Sequence, residues 1–219
     1  MTVQDLLDLT LEPLRADDAV FDALTEAVEA EVEQFPVVDA EGRLVALVSE
    51  TQLMEHAGAR TPIGELPAGK PVRVRRDTHS FEAALQMMRH HLDVLPVVDE
   101  DEMLLGVVRR TTLFDTLSRM LSVGDAGSIV VLEMPERDYA LGQMIYVVEQ
   151  NGAKVLSVAS EHEPSGIVRV TLKLNVSDSS RIRAVLEQRG YRVAATFGEE
   201  ARDEELQYRV EQFMRYLDL

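Results

Sequence analysis

Five arginines gather in the middle of this 219-residue sequence: Arg73, Arg75, Arg76, Arg109 and Arg110. A guanidinium group is a planar fork of donors that matches the oxygens of a phosphate or a carboxylate two at a time. Arg73 and Arg75 alternate, so on a strand they share one face. Two uses follow from these residue types. The arginines face the phosphates of a ligand, or they pair with carboxylates of the chain itself. Carboxylates are in surplus. Residues 1–60 hold 14 acids and 3 bases, residues 61–120 hold 9 and 8, and residues 121–219 hold 16 and 11, within a net charge of −17. An acidic first segment and a basic patch in the second are electrostatically matched, so both uses remain open.

Other chemistries find no working pattern. There are no cysteines, which excludes disulfides, thiolate metal sites and cysteine nucleophiles. His90 and His91 are adjacent on a predicted helix and point about 100° apart, too divergent to share one ion. His56, His79 and His162 lack a carboxylate at a spacing such as H-E-x-x-H. Ser49 and Ser128 lack the G-x-S-x-G setting of a hydrolase nucleophile. There is no phosphate-binding P-loop and no dinucleotide fingerprint. No catalytic residue, metal ligand or required cofactor is expected, and the protein reads as a non-enzyme. The acidic balance argues against a nucleic-acid partner, since phosphate backbones demand clustered positive charge. No apolar run approaches the roughly 18 residues of a membrane helix. The start "MTVQDLLDLTLEP" lacks the basic region of a signal peptide, so the cytoplasm is the expected location.

The elements that must position the arginines are written twice. At an offset of 60, Pro36, Val37, Val38 and Asp39 match Pro96, Val97, Val98 and Asp99. Leu44, Val48, Thr51 and Leu53 match Leu104, Val108, Thr111 and Leu113, and Asp17, Phe21 and Ala23 match Asp77, Phe81 and Ala83. Each copy predicts a short extended segment ("LEPLRAD", "PVRVRRD") and a helix N-capped by Asp17 or Asp18, and by Asp77 or Thr78. A hairpin with an acidic turn ("FPVVD…RLVALVS", "LPVVD…LLGVVRR") and a closing helix from Thr51 or Thr111 complete it. Neither copy alone has enough chain for a robust core, so the two must stack.

This grammar resembles the CBS domain, and the pair resembles a CBS-pair (Bateman) module over residues 1–60 and 61–122. The resemblance implies adenine-nucleotide binding, of AMP, ADP or ATP, in clefts between the repeats. The family pattern places a glycine, two apolar residues, a serine or threonine near phosphate, and an aspartate three positions on that accepts from the ribose hydroxyls. Adenine would lie against the proline-valine strands, here Pro36 and Val37, and Pro96 and Val97. This chain departs from the pattern in both copies. The first has Ser49 in place but Gln52 for the aspartate, and the second has Arg109 for the hydroxyl residue and Thr112 for the aspartate. A neutral acceptor bonds ribose more weakly than a carboxylate does. Arg76, Arg109 and Arg110 lie in segments that the family fold brings to the cleft region.

The remainder predicts a different unit. "SIVVLEM" reads as a strand, "YALGQMIYVVEQNG" as a helix with Leu141, Met144, Ile145 and Val148 on its apolar side, and "AKVLSVASEHE" with "GIVRVTLKLNV" as a hairpin. A capped helix "DSSRIRAVLEQRG" and a strand "YRVAATF" complete the order β-α-β-β-α-β of a ferredoxin-like sandwich. Over residues 127–198 this resembles an ACT domain. Tyr139 stands where that family has its ligand-side glycine, and its bulk obstructs the approach of an amino acid. The unit is therefore expected to serve in homodimer pairing or in transmitting the response. Residues 199–219 predict a last helix with Leu206, Val210, Phe213 and Leu217 on one face.

The expected fold class is α+β: a CBS pair, a ferredoxin-like (ACT-type) unit and a C-terminal helix. That order resembles the acetoin-utilisation B-like proteins, which implies a ligand-responsive regulator with a regulated protein partner. The alternative is a structural adaptor whose nucleotide clefts are empty or degenerate.

Overall fold

The period of 60 residues reappears in a computed structural model as a period of hydrogen bonds; the structure describes residues 1–29, 32–56 and 61–198. The predicted helix over 199–219 lies outside them. The chain divides into two units, Met1–Thr116 and Leu117–Leu219.

In the first unit, β1 (Leu14–Arg15) leads to α1 (Val20–Glu29), β2 (Gln34–Val38), β3 (Leu44–Ser49) and α2 (Glu50–Glu55). The second copy repeats the order as β4 (Val74–Arg75), α3 (Ser80–His90), β5 (Val94–Val98), β6 (Leu104–Arg109) and α4 (Arg110–Met120). Each copy forms a three-stranded sheet with its hairpin antiparallel and its short first strand parallel. The registers are identical at the 60-residue offset: Pro36 faces Leu47 and Pro96 faces Val107, with a bulge at Val37/Val38 and again at Val97/Val98. The turns are set by aspartates. Asp39 Oδ1 accepts from the Glu41 and Arg43 amides at 3.1 and 2.7 Å, and Asp99 Oδ1 from the Asp101 and Met103 amides at 2.9 Å each.

The two copies clasp reciprocally. The Leu44 amide donates to the Glu102 carbonyl at 3.0 Å, and the Leu104 amide to the Gly42 carbonyl at 3.1 Å. Those pairs are related by the offset, so they define a pseudo-twofold between the hairpins. The leading segments exchange in the same way. A single helical turn at Val3–Leu6 docks on the second copy, with the Val3 amide on the Thr78 carbonyl (2.8 Å) and the Gln4 amide on the Arg76 carbonyl (3.0 Å). Its twin at Ile63–Glu65 docks on the first copy, with Ile63 on Asp18 (3.0 Å) and Gly64 on Ala16 (2.9 Å). Val20, Phe35, Val37, Val48 and Leu53 of the first copy share one core with Ile63 and Leu66 of the second copy's leading segment and with Val94 and Val107 of its strands. This is how two copies of marginal size bury a sufficient core.

The predicted helix caps move. His79 caps α3, its Nδ1 accepting from the Phe81 amide at 3.2 Å. Thr78 and Asp18 instead accept from the amides of Arg75 and Arg15, at 3.1 and 3.3 Å, and tie off the turns that follow β4 and β1. A side chain one or two residues before a helix reaches the turn behind it as easily as the helix ahead.

In the second unit, β7 (Ser128–Pro135), α5 (Leu141–Gln150), β8 (Val155–His162), β9 (Ile167–Leu174), α6 (Ser180–Gln188) and β10 (Arg192–Phe197) follow in order. The sheet runs β10-β7-β9-β8, all antiparallel. That is the ferredoxin-like arrangement, and the α+β class holds for both units. Alternation along β7 and β9 sends Val130, Leu132, Val168, Val170 and Leu172 into the core with Met144, Val148, Ile182 and Leu186 of the helices. Among the described residues no helix is long and apolar enough to cross a membrane, and no cluster of metal-ligating side chains occurs.

Candidate ligand-binding site

Each hairpin hands over to a closing helix at a corner, and each corner faces the leading segment of the other copy. In the first copy the corner is Ser49, the N-cap of α2. Its Oγ accepts from the Gln52 amide at 3.1 Å, while Gln52 Oε1 accepts from the Ser49 amide at 2.9 Å. This capping box satisfies two amides that a helix start leaves unpaired. The remaining Gln52 group, Nε2, donates to the Pro67 carbonyl at 3.2 Å. So Ser49 and Gln52 come together, and Gln52 also bridges to the strap that follows Ile63–Glu65.

In the second copy Arg109 occupies the place of Ser49. Its Nε donates to Asp8 Oδ2 at 2.5 Å. Asp8 sits on the strap that follows Val3–Leu6, and its backbone pairs both ways with Val107, at 2.8 and 3.1 Å. Thr10 donates its amide and hydroxyl to Asp8 Oδ1 at 2.7 and 2.6 Å. Burial raises the Asp8 carboxyl, but the bonds from Arg109 and Thr10 outweigh it and lower it from 3.8 to about 2. Thr112 lies three residues into this corner, half-buried.

The close fit of this strap explains a glycine. A Cβ on Gly106, whose φ is 148°, would stand 2.8 Å from the Asp8 carbonyl oxygen and 2.9 Å from Leu9 Cδ2. The first copy has Ala46 there.

The remaining expected residues lie elsewhere. Pro36, Val37, Pro96 and Val97 are buried within β2 and β5. Arg76 is exposed and lines a hollow of about 560 Å³ with Arg75, Asp77, Val98 and the acidic turn Asp99–Asp101. Arg73 and Arg75 do share a face: both reach the Glu102 carboxylate, Arg75 Nη2 at 3.0 Å. The hydrogen bond from Arg73, aided by the charges of both arginines, holds Glu102 below the usual carboxylate range against a smaller opposing effect of burial. Arg110 pairs with Asp93. Arg73, Arg75 and Arg110 thus take their carboxylates from within residues 61–120, and Arg109 takes Asp8 from the first sixty. Asp8, Pro67 and Glu102 are the partners of these side chains that sequence reasoning missed. A signal for Asp8 existed, because its twin at the offset is Ala68 just as the twin of Arg109 is Ser49.

The sequence profile of the CBS domain matches residues 3–58 and 63–119, more than half of the chain. The chain belongs to the CBS-domain family and carries two of these domains in tandem. It is 26% identical over 127 residues to an uncharacterized protein of Methanocaldococcus jannaschii, covering 56% of this chain and 59% of that protein. It is 35% identical over 104 residues to the magnesium transporter MgtE of Thermus thermophilus, covering 48% of this chain and 23% of the transporter. The chain therefore spans less than two thirds of the length of these relatives. In fold it resembles a CBS domain pair/ACT domain protein from Thermotoga maritima, with a TM-score of 0.52 at 21% identity over 55% of this chain and 99% of that structure.

Proposed function

We propose that this protein is a non-enzymatic, cytoplasmic regulator whose CBS pair, residues 1–60 and 61–122, senses a small ligand, an adenine nucleotide, in the two crevices between the copies. The observation that carries this reading is the reciprocal exchange of leading segments. It brings the Ser49–Gln52 corner and the Arg109 corner each against a strap from the other copy, which supports the reading. A ligand seated in either crevice touches both copies, and it shifts their relative angle as far as it binds one angle better than the other. In the first crevice Ser49 would approach phosphate and Gln52 the ribose. In the second, Arg109 would serve phosphate and Thr112 the ribose. The ferredoxin-like unit, residues 127–198, is read as ACT-type: it pairs two chains or passes the response to a partner protein, as in the acetoin-utilisation B-like arrangement. Isothermal titration of the full chain with AMP, ADP and ATP tests the reading. Saturable heat that Gln52→Ala weakens is expected; no heat at millimolar ligand overturns it.

The adaptor reading keeps one specific support. Gln52 Nε2 is bonded to the strap and Arg109 Nε to Asp8, so each of these side chains has a partner without a ligand. Mass spectrometry of small molecules released from the purified protein separates the two readings.

A further inference from the structure

We infer that the two crevices are chemically unequal, and that Asp8 is a built-in substitute for a ligand phosphate, latching the second crevice until a phosphorylated ligand displaces it from Arg109. The inference rests on the nucleotide reading above and adds to it a regulated site.

Four observations converge. First, the Asp8 carboxylate and the Arg109 guanidinium meet at 2.5 Å, with side-chain exposures of 17% and 26%. An anionic oxygen therefore already occupies one donor of the guanidinium that a phosphate would use. Second, the strap is fitted to this place: Asp8 and Val107 exchange both backbone hydrogen bonds, and Gly106 leaves the space that the Asp8 carbonyl fills. Third, the carboxylate has two separate holders. Oδ2 goes to Arg109, while Oδ1 stays with the amide and hydroxyl of Thr10 on the strap itself. Displacement from Arg109 leaves the carboxylate with both Thr10 donors, so the exchange does not leave it without hydrogen bonds. Fourth, the first crevice lacks both members of the pair, with Ala68 at the twin of Asp8 and Ser49 at the twin of Arg109. Its strap is held by the neutral Gln52–Pro67 hydrogen bond.

The consequence is a division of ligand preference. The first crevice takes a nucleoside or nucleotide with little penalty. The second opens to a phosphate-bearing ligand, since adenosine offers Arg109 nothing in exchange for Asp8.

The test is titration of full-length wild type, Asp8→Asn and Arg109→Ser with ATP and with adenosine. Asp8→Asn should tighten ATP at one site roughly tenfold, the scale of a single charge-assisted hydrogen bond, and leave adenosine unchanged. Adding Arg109→Ser to Asp8→Asn should remove that gain. Asp8→Asn binding ATP no tighter than a wild type that does bind it rejects the latch and leaves the nucleotide reading standing. Silence toward ATP in both proteins rejects the two together. Should Asp8→Asn not fold, carboxyl-carbon NMR on the wild type decides: saturating ATP should return the Asp8 titration toward that of an ordinary carboxylate, and an unmoved titration rejects the latch.

Discussion

Gly42 and Glu102 hold the same turn position in the two hairpins, both with left-handed backbone at φ 87° and 65°, and each lends its carbonyl to the strand of the other hairpin. Glycine takes this conformation freely, whereas glutamate is strained there. Glu102 is kept by its side chain, which gathers Arg73 and Arg75 onto one carboxylate.

That balance sets the first prediction. Glu102→Ala keeps the strain and loses the arginines, while Glu102→Gly loses the arginines but relieves the strain. Urea melts should therefore rank wild type and Glu102→Gly close together, with Glu102→Ala clearly below both. In the other hairpin, Gly42→Ala introduces the strain and a Cβ 3.1 Å from Met103 Cε, and should cost about 1 kcal/mol.

The Asp8 carboxyl makes acid stability diagnostic. Its folded value of about 2 lies below its ordinary 3.8, so the charged form favours the folded state. The contribution is complete above the unfolded value and is lost as the pH falls from about 4 toward 2. The size expected from that shift is about 2 kcal/mol. Chemical denaturation across this range should show a steeper acid limb for wild type than for Asp8→Asn.

The capping box at Ser49 and Gln52 supports a helix of six residues, too short to stand on propensity. Ser49→Ala should lower stability by about 1 kcal/mol, read by thermal melting. Gln52→Ala removes the reciprocal bond and the link to Pro67 together. It should also raise hydrogen exchange at the Ser49 amide and leave the Arg109 corner unchanged.

Leu132 lies fully buried at the centre of β7. Leu132→Ala should destabilise the second unit by roughly 2–5 kcal/mol, as other core leucine truncations do. With the proposed crevices in the first unit, any nucleotide heats of the wild type should survive this change at temperatures below its melting.

Much of this architecture was legible in the sequence because it repeats. Residues such as Pro36 and Pro96, or Asp39 and Asp99, recur at a fixed spacing and in identical register, so the hairpins could be read twice. The alternation of β7 and β9 displayed the second unit as clearly. The helix caps were legible only to within two residues, because Asp18 and Thr78 have two turns within reach. The partners of the arginines were not legible. Glu102, in the turn between β5 and β6, meets Arg73 from just before β4, and Asp8 meets Arg109 across 101 residues, contacts fixed by three-dimensional closure and by no local pattern. The sequence placed Arg109 and Arg110 side by side as equals. In the fold they turn to different carboxylates, Asp8 and Asp93, because Arg109 ends β6 while Arg110 opens α4.

The exchanged leading segments mean that the boundary between the copies is covalent but not structural. A polypeptide severed between them would yield two fragments, each carrying a piece of the other's interior and neither complete. Mixed in solution, they should recombine as complementary halves. Because the exchange is reciprocal, a circular permutant that presents the second copy first should rebuild the same pair.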